Sequence, residues 1–284
     1  MTDTLTPSVA PDRPAPAQPL QPLPKTIWML WFQGWDKAPE IAHACAATWV
    51  HHNPGWQIKL LSAKGLNKYA PDTVAFAKRH NISLTGLSNV VRMELLERFG
   101  GAWADATVYC TRPLDDWIDI GVREGFFAFN RPSIDRLIAS WFLAVRPGSY
   151  MVRALRRQVA AYWQGRDTAD EYHWFHRQFA VCHGNDPAFR TIWNKTPKFP
   201  AMHPHYLTPY DPKLVAPVTA ADRQTVDSGK TFTLKLTHKL APDLLADARA
   251  RQNSVYTWLC DRTLDWPARR QLDASISRLS EVKI

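Results

Sequence analysis

At 284 residues, 45% hydrophobic and 21% charged, the chain has the composition of a folded globular protein with a sizeable core, which excludes fibrous and wholly disordered classes. Its formal charge of +9 favours anionic partners (nucleic acid, a lipid surface or the phosphates of a nucleotide), with a merely solvated basic surface equally open. Four scattered cysteines, Cys45, Cys110, Cys182 and Cys260, lack zinc or redox spacing and read as reduced thiols of a cytoplasmic protein; neither a secretion signal nor a membrane span is expected, since the run "IWMLWF" is far too short to cross a bilayer.

Residues 1–24 are rich in Pro and Ala and predict a flexible arm. "KTIWMLWFQG" (25–34) predicts a buried strand closed by Gly34, and "WQIKLLS" (56–62) a second strand. Between them "APEIAHACAATWVHHN" has helical spacing, with Ile41, Cys45, Thr48 and Trp49 on one side. Strand, helix, strand is how a parallel α/β sheet begins.

"NKYAPDTVAFAKRH" predicts a helix, and "LSNVVRMELLERFGG" a stronger one. Ser88 can cap it, Val91, Leu95 and Phe99 form its apolar stripe, Glu94 and Arg98 pair at i,i+4, and Gly100 ends it. "AWADATVYC" then returns as one strand. "EGFFAFN" and "SWFLAVRP" predict two more strands, and "MVRALRRQVAAYWQ" and "EYHWFHRQFAVC" two helices. After a Pro-rich stretch at 197–217, "TFTLKLTHK" predicts one alternating strand, and residues 241–284 a polar, helical tail.

Three- and four-residue steps place Asn89 and Arg92 together in the first turn of a helix starting at Ser88, where backbone N–H groups already attract anions. Arg92 adds a planar fork of donors; a structural ion pair is the plainer alternative. Period-two geometry puts Trp103, Asp105 and Thr107 on one face of the following strand. Asp105 could hold a hard cation beside a diphosphate, or simply be solvated at a strand end. Asp115 and Asp116, adjacent and pointing apart, read as a capped turn rather than a glycosidase pair. Trp174 reads as core.

The pattern from Leu87 to Tyr109, serine, asparagine, arginine, paired leucines, Gly-Gly, Trp103 and "DAT", resembles the donor-site block of the capsular polysaccharide synthesis and family 32 glycosyltransferases. "PKTIWMLWFQGWDKAPE", "YHWFHRQF" and "KLTHK" (235–239) are similar to other blocks of that family and fall in the same order, so the resemblance spans about 25–240. It implies a nucleotide-diphospho-sugar transferase of the GT-A fold, with a mixed, mostly parallel sheet flanked by helices, at 25–240. It also implies retaining transfer to a polysaccharide or glycolipid acceptor in capsule or cell-surface polysaccharide synthesis.

By the same resemblance Trp31 and Gln33 meet the nucleotide, Asn89 and Arg92 the donor sugar, and Lys235 or Lys239 the departing diphosphate. Asp105 and His238 would hold Mn²⁺ or Mg²⁺ and, with Arg92, carry the chemistry, while Thr107 stands where the family's "DxD" element has its second carboxylate. Glu171 and His176 are candidates for the acceptor side. Asn89 and Thr107 depart from the fuller pattern, which leaves a binding-only member of the same fold as the second alternative. Nucleic acid is not an expected partner, and contact with the inner face of a membrane stays open.

Overall fold

The computed structural model describes residues 19–207 and 212–281. Most of the arm expected at 1–24, and the last three residues of the expected tail, lie outside these described residues. The first strand, β1 (Thr26–Leu30), alternates: Ile27 and Met29 enter one apolar layer and Trp28 and Leu30 the other. Helix α1 (Glu40–His52) buries the predicted stripe of Ile41, Cys45, Thr48 and Trp49, and β2 (Gln57–Leu61) returns parallel to β1, Thr26 opposite Gln57.

The helix predicted from "NKYAPDTVAFAKRH" is broken at Pro71, whose missing N–H ends one helix and suits the first turn of the next, giving α2 (Leu66–Tyr69) and α3 (Pro71–Ala77). Helix α4 (Leu84–Phe99) begins earlier than expected. Its cap is Ser83, which accepts the Gly86 amide at 3.1 Å, so Ser88 lies inside the helix. The predicted Glu94–Arg98 pair forms at 3.0 Å, and Glu94 also accepts the Thr73 amide and hydroxyl, both at 2.7 Å, tying α4 to α3.

Gly100 (φ 66°) and Gly101 (φ 87°) turn the chain from α4 into β3 (Gly101–Ala104). A Cβ on Gly101 would stand 2.5 Å from the carbonyl oxygen of Thr26, so only glycine lets β3 pair this closely alongside β1. The strand expected over "AWADATVYC" is not continuous. The Val108 amide donates to the Asp105 carbonyl at 2.9 Å, closing a turn over Asp105–Thr107, and β4 (Val108–Cys110) leaves for a second sheet.

A short α5 (Ile118–Gly121) leads to the hairpin of β5 (Phe126–Ser133) and β6 (Arg136–Val145). Then come α6 (Tyr150–Trp163), α7 (Trp174–Asn185), α8 (Pro187–Lys195) and α9 (Ala220–Asp227). The strand predicted from "TFTLKLTHK" shrinks to β7 (Thr233–Lys235), which pairs antiparallel with β4, Val108 opposite Lys235, so His238 and Lys239 lie beyond its end. Helices α10 (Pro242–Ala250), α11 (Val255–Asp261) and α12 (Pro267–Glu281) close the chain.

The main sheet has the order β2-β1-β3-β6-β5, with only β6 running against the other four. Mostly parallel direction was the expectation, and helices cover both faces. On one side Trp28 and Trp103 pack with Val91, Leu95, Leu155, Phe175 and Phe179 from α4, α6 and α7. On the other, Trp49 of α1 stacks on Phe142 (centroids 5.6 Å, planes 7° apart), and Leu272 and Ile276 of α12 are buried in the same layer. The segment after 241 therefore contributes to the core, and no helix among the described residues is long and apolar enough to cross a membrane.

Candidate active site

In this order β2 lies on one side of β1 and β3 on the other, so the chain reverses its direction of build between β1 and β3. The crevice beyond the carboxyl ends of two such strands is where open α/β sheets bind ligands. Trp31 follows β1 and Asp105 follows β3, so both stand there.

Alternation along β3 carries Trp103 and Asp105 toward α4, as the period-two reading required. Trp103 Nε1 donates to Asp105 Oδ1 at 2.8 Å, and Arg92 Nη2 donates to the same oxygen at 3.1 Å. The guanidinium lies 5.0 Å from the Trp103 ring centre. Its other donors reach the Ser88 carbonyl (3.1 Å), the Ser88 hydroxyl (2.9 Å) and the Ser140 carbonyl of β6. Burial pulls the Arg92 pKa below its usual value and the Asp105 carboxylate opposes that shift. The ion pair is asymmetric: the Arg92 side chain is 3% exposed and that of Asp105 29%. A fixed carboxylate thus presents its second oxygen, Oδ2, at the crevice.

Asn89 does not occupy the first turn of a helix, because α4 starts at Leu84; its amide donates to the Thr85 carbonyl at 3.4 Å. Arg92 likewise sits deep in the helix, held by side chains rather than by the helix N-terminus. Thr107 leaves the face of Trp103 and Asp105 through the turn and meets β7. Lys235 Nζ donates to Thr107 Oγ1 at 2.7 Å and to the Leu236 carbonyl at 3.0 Å. Burial lowers the Lys235 pKa and Asp105 raises it.

His238 sets its ring edge-on to Trp31, centroids 5.0 Å apart, and burial, then Lys235 and Lys239, depress its pKa while Asp105 opposes them. Lys239 is exposed. Trp31, Asp105, Lys235 and His238 therefore converge at one crevice. Gln33 lines a 1540 Å³ groove beside β2 and α12. Glu171 pairs with Arg177 and lines a 260 Å³ pocket at the start of α4. His176 is half-buried, its inaccessible Nδ1 has no partner among the described residues, and desolvation, then His173 and Arg136, push its pKa down to about 3.

Four contributors escaped the sequence: Trp103 and Ser88, which fix Asp105 and Arg92, Ser140, which accepts from Arg92, and Trp141, whose Nε1 donates to His205 Nε2 at 3.0 Å. Desolvation and Lys235 lower the His205 pKa to about 4. Two of these pairs had a legible signal, Ser88–Arg92 in its i,i+4 spacing and Trp103–Asp105 in its i,i+2 spacing along a strand.

A divalent cation requires several hard acceptor oxygens. Here Asp105 Oδ1 already accepts two donors, Thr107 Oγ1 accepts an ammonium, and the remaining acceptors are one carboxylate oxygen and the His238 imidazole, beside the buried cations Arg92 and Lys235. Asp105 and His238, the pair of ligands expected from the sequence, thus supply one free carboxylate oxygen and one imidazole, so a divalent ion held there would need oxygens from the donor phosphates and from water as well. Among the described residues no group of three or more His, Cys, Asp or Glu could hold one.

Asp115 is structural, as read: it accepts Lys25 at 2.7 Å and Trp56 Nε1 at 2.9 Å. Trp174 is core, stacked on Tyr162 at 5.2 Å. All four cysteines are buried free thiols, and desolvation holds the thiols of Cys110 and Cys182 up at about 12.

Residues 13–256 match the family described as capsular polysaccharide synthesis protein. Over 169 residues the chain is 24% identical to the O-glycosyltransferase braB of Annulohypoxylon truncatum, a match covering 52% of this chain and 40% of that protein, so the chain spans well under half of this curated relative. Among solved structures, the PaToxG glycosyltransferase aligns over 84% of this chain and 89% of its own, with 13% identity and a TM-score of 0.42. An active-site mutant of LgtC aligns over 88% and 95%, with 12% identity and the same TM-score.

Proposed function

From a chain that belongs to the capsular polysaccharide synthesis protein family, we propose a glycosyltransferase that moves a sugar from a nucleotide-diphosphate donor to a hydroxyl of a polysaccharide or glycolipid. The observation that carries the proposal is the Asp105 carboxylate, pinned by Arg92 and Trp103 at the switch point between β1 and β3. Support also comes from the match to an O-glycosyltransferase.

In this account Trp31 and His238 border the nucleoside end of the donor, and Lys239 the open rim. Asp105 Oδ2 accepts a hydroxyl of the donor sugar, while Arg92 and Asn89 hold that wall of the crevice. Lys235 faces the diphosphate. The acceptor oxygen bonds to the anomeric carbon as the carbon–oxygen bond to the diphosphate breaks. The bonding electrons leave with the diphosphate, and the hydroxyl proton passes to its departing oxygen on the same face, which retains the anomeric configuration. Prepositioned charges stabilise the leaving group with no reorganisation at the moment of reaction. The overall charge of +9 suits an anionic glycan or work beside an anionic membrane face.

Incubating the protein with a panel of sugar nucleotides and glycan acceptors, and reading released nucleoside diphosphate, tests the proposal. Release from at least one donor is expected; silence across the panel would sink it.

A further inference from the structure

We propose that Lys235 is a built-in cation that takes the place of a divalent metal at the diphosphate, so that this site binds its anion without metal. The inference rests on reading the crevice as a diphosphate site. It starts from the turn Asp105–Thr107, which breaks the expected strand and sets Thr107 against Lys235 of β7.

Position 107 decides what the crevice can bind. A carboxylate there would be an acceptor for a hard cation, whereas a threonine that accepts from Lys235 keeps its own O–H to donate. The Lys235 ammonium has three donors, of which one is spent on Thr107 Oγ1 at 2.7 Å and one on the Leu236 carbonyl at 3.0 Å. The third has no hydrogen-bond partner among the described residues. One spare ammonium N–H and one hydroxyl O–H side by side are donors, and donors match phosphate oxygens, not metal ions.

Backbone pairing fixes the lysine in place. Leu236 donates its amide to the Thr107 carbonyl at 2.8 Å, and Lys235 stands opposite Val108 in the β4–β7 ladder, so the ammonium is aimed by a strand rather than by a mobile loop. Arg92, Lys235 and Lys239 together outnumber the carboxylate of Asp105, leaving an excess of positive charge where a diphosphate would lie. Without the diphosphate that set repels a divalent ion, to which Asp105 could offer a single free oxygen.

Inorganic pyrophosphate, titrated by calorimetry into the full chain, is the probe. Binding in EDTA, unchanged by Mn²⁺, is expected. Lys235→Met is expected to weaken it about tenfold or more, the loss of one charged hydrogen bond. Thr107→Asp, which cancels the ammonium's charge and supplies an acceptor, is expected to weaken binding in EDTA and to regain it with Mn²⁺. Thermal midpoints confirm that each variant is folded. Binding by the unaltered chain only when Mn²⁺ is present, equal affinity in Lys235→Met, metal-free affinity unaltered in Thr107→Asp, or no pyrophosphate binding at all would each overturn the inference. Metal-free, Lys235-dependent binding with no turnover of any sugar nucleotide would sink the transferase proposal while supporting the cation.

Discussion

Arg92 and Asp105, thirteen residues apart on a helix and at a strand end, meet at 3.1 Å with one partner buried and the other facing the crevice. The arginine is fully committed to the fold, and the aspartate is held half free. That division of labour sets what substitutions should do.

Arg92→Lys should destabilise the protein. A lysine cannot reproduce a fork that reaches Ser88, Ser140 and Asp105 while lying over Trp103. A loss of about 3 kcal/mol is expected in denaturant unfolding, in the range for breaking a buried pair.

Trp103→Phe keeps the ring in the core and removes only the N–H to Asp105. The stability cost should be about 1 kcal/mol, one hydrogen bond's worth. Because the carboxylate loses one of its two anchors, the affinity for a sugar nucleotide should fall more than the thermal midpoint does, which parallel titration and melting experiments would compare.

Gly101→Ala puts a Cβ 2.5 Å from the Thr26 carbonyl at a φ of 87°. The clash is with backbone of a paired strand, which cannot step aside. A loss of about 2 kcal/mol or more is expected, from overpacking and left-handed strain together. Gly165→Ala, with φ 70° and open space around its Cβ, isolates the strain alone and should cost less.

Acid should destabilise the protein through its half-buried imidazoles. Burial depresses His176 to about 3 and His52 and His205 to about 4, from an unfolded value of 6.5. Between those values the unfolded chain binds more protons than the folded one, so stability is complete above pH 6.5 and falls as pH drops toward 4. Each group contributes at most about 1.4 kcal/mol per pH unit. His176→Leu should flatten the fall of the thermal midpoint across that window; an identical pH profile would show that His176 does not titrate between the two states.

Much of the scaffold was legible because periodicity reports burial directly. The alternation in "TIWML" and the stripe of Ile41, Cys45, Thr48 and Trp49 need no partner to be read. What was not legible depends on contacts between distant residues. In "ADATV" only Asp105, a residue suited to the first position of a turn, hints at one, and no glycine or proline interrupts the run; the strand breaks because the Val108 amide finds the Asp105 carbonyl and β4 finds β7, more than a hundred residues later. The start of α4 was hidden because Gly86 lowers helical propensity just where Ser83 supplies a cap. The candidate residues Trp31, Arg92, Asp105, Lys235 and His238 came from the family resemblance and the residue chemistry. The reason Arg92 can be buried came only with Ser88, Trp103 and Ser140 in place.

The central claim is that Asp105 serves a donor sugar at the switch point. The most direct measurement compares donor turnover by the unaltered protein and by Asp105→Asn, reading released nucleoside diphosphate with the donor found in the panel. Asparagine can still accept from Arg92 and Trp103 but leaves the buried guanidinium without its counter-charge, so the thermal midpoint should fall and turnover is read below it, where the variant is folded; there turnover should fall by about 10²-fold or more, the scale for removing one positioned polar group from a transition state. Turnover left intact in a folded Asp105→Asn protein would contradict the account.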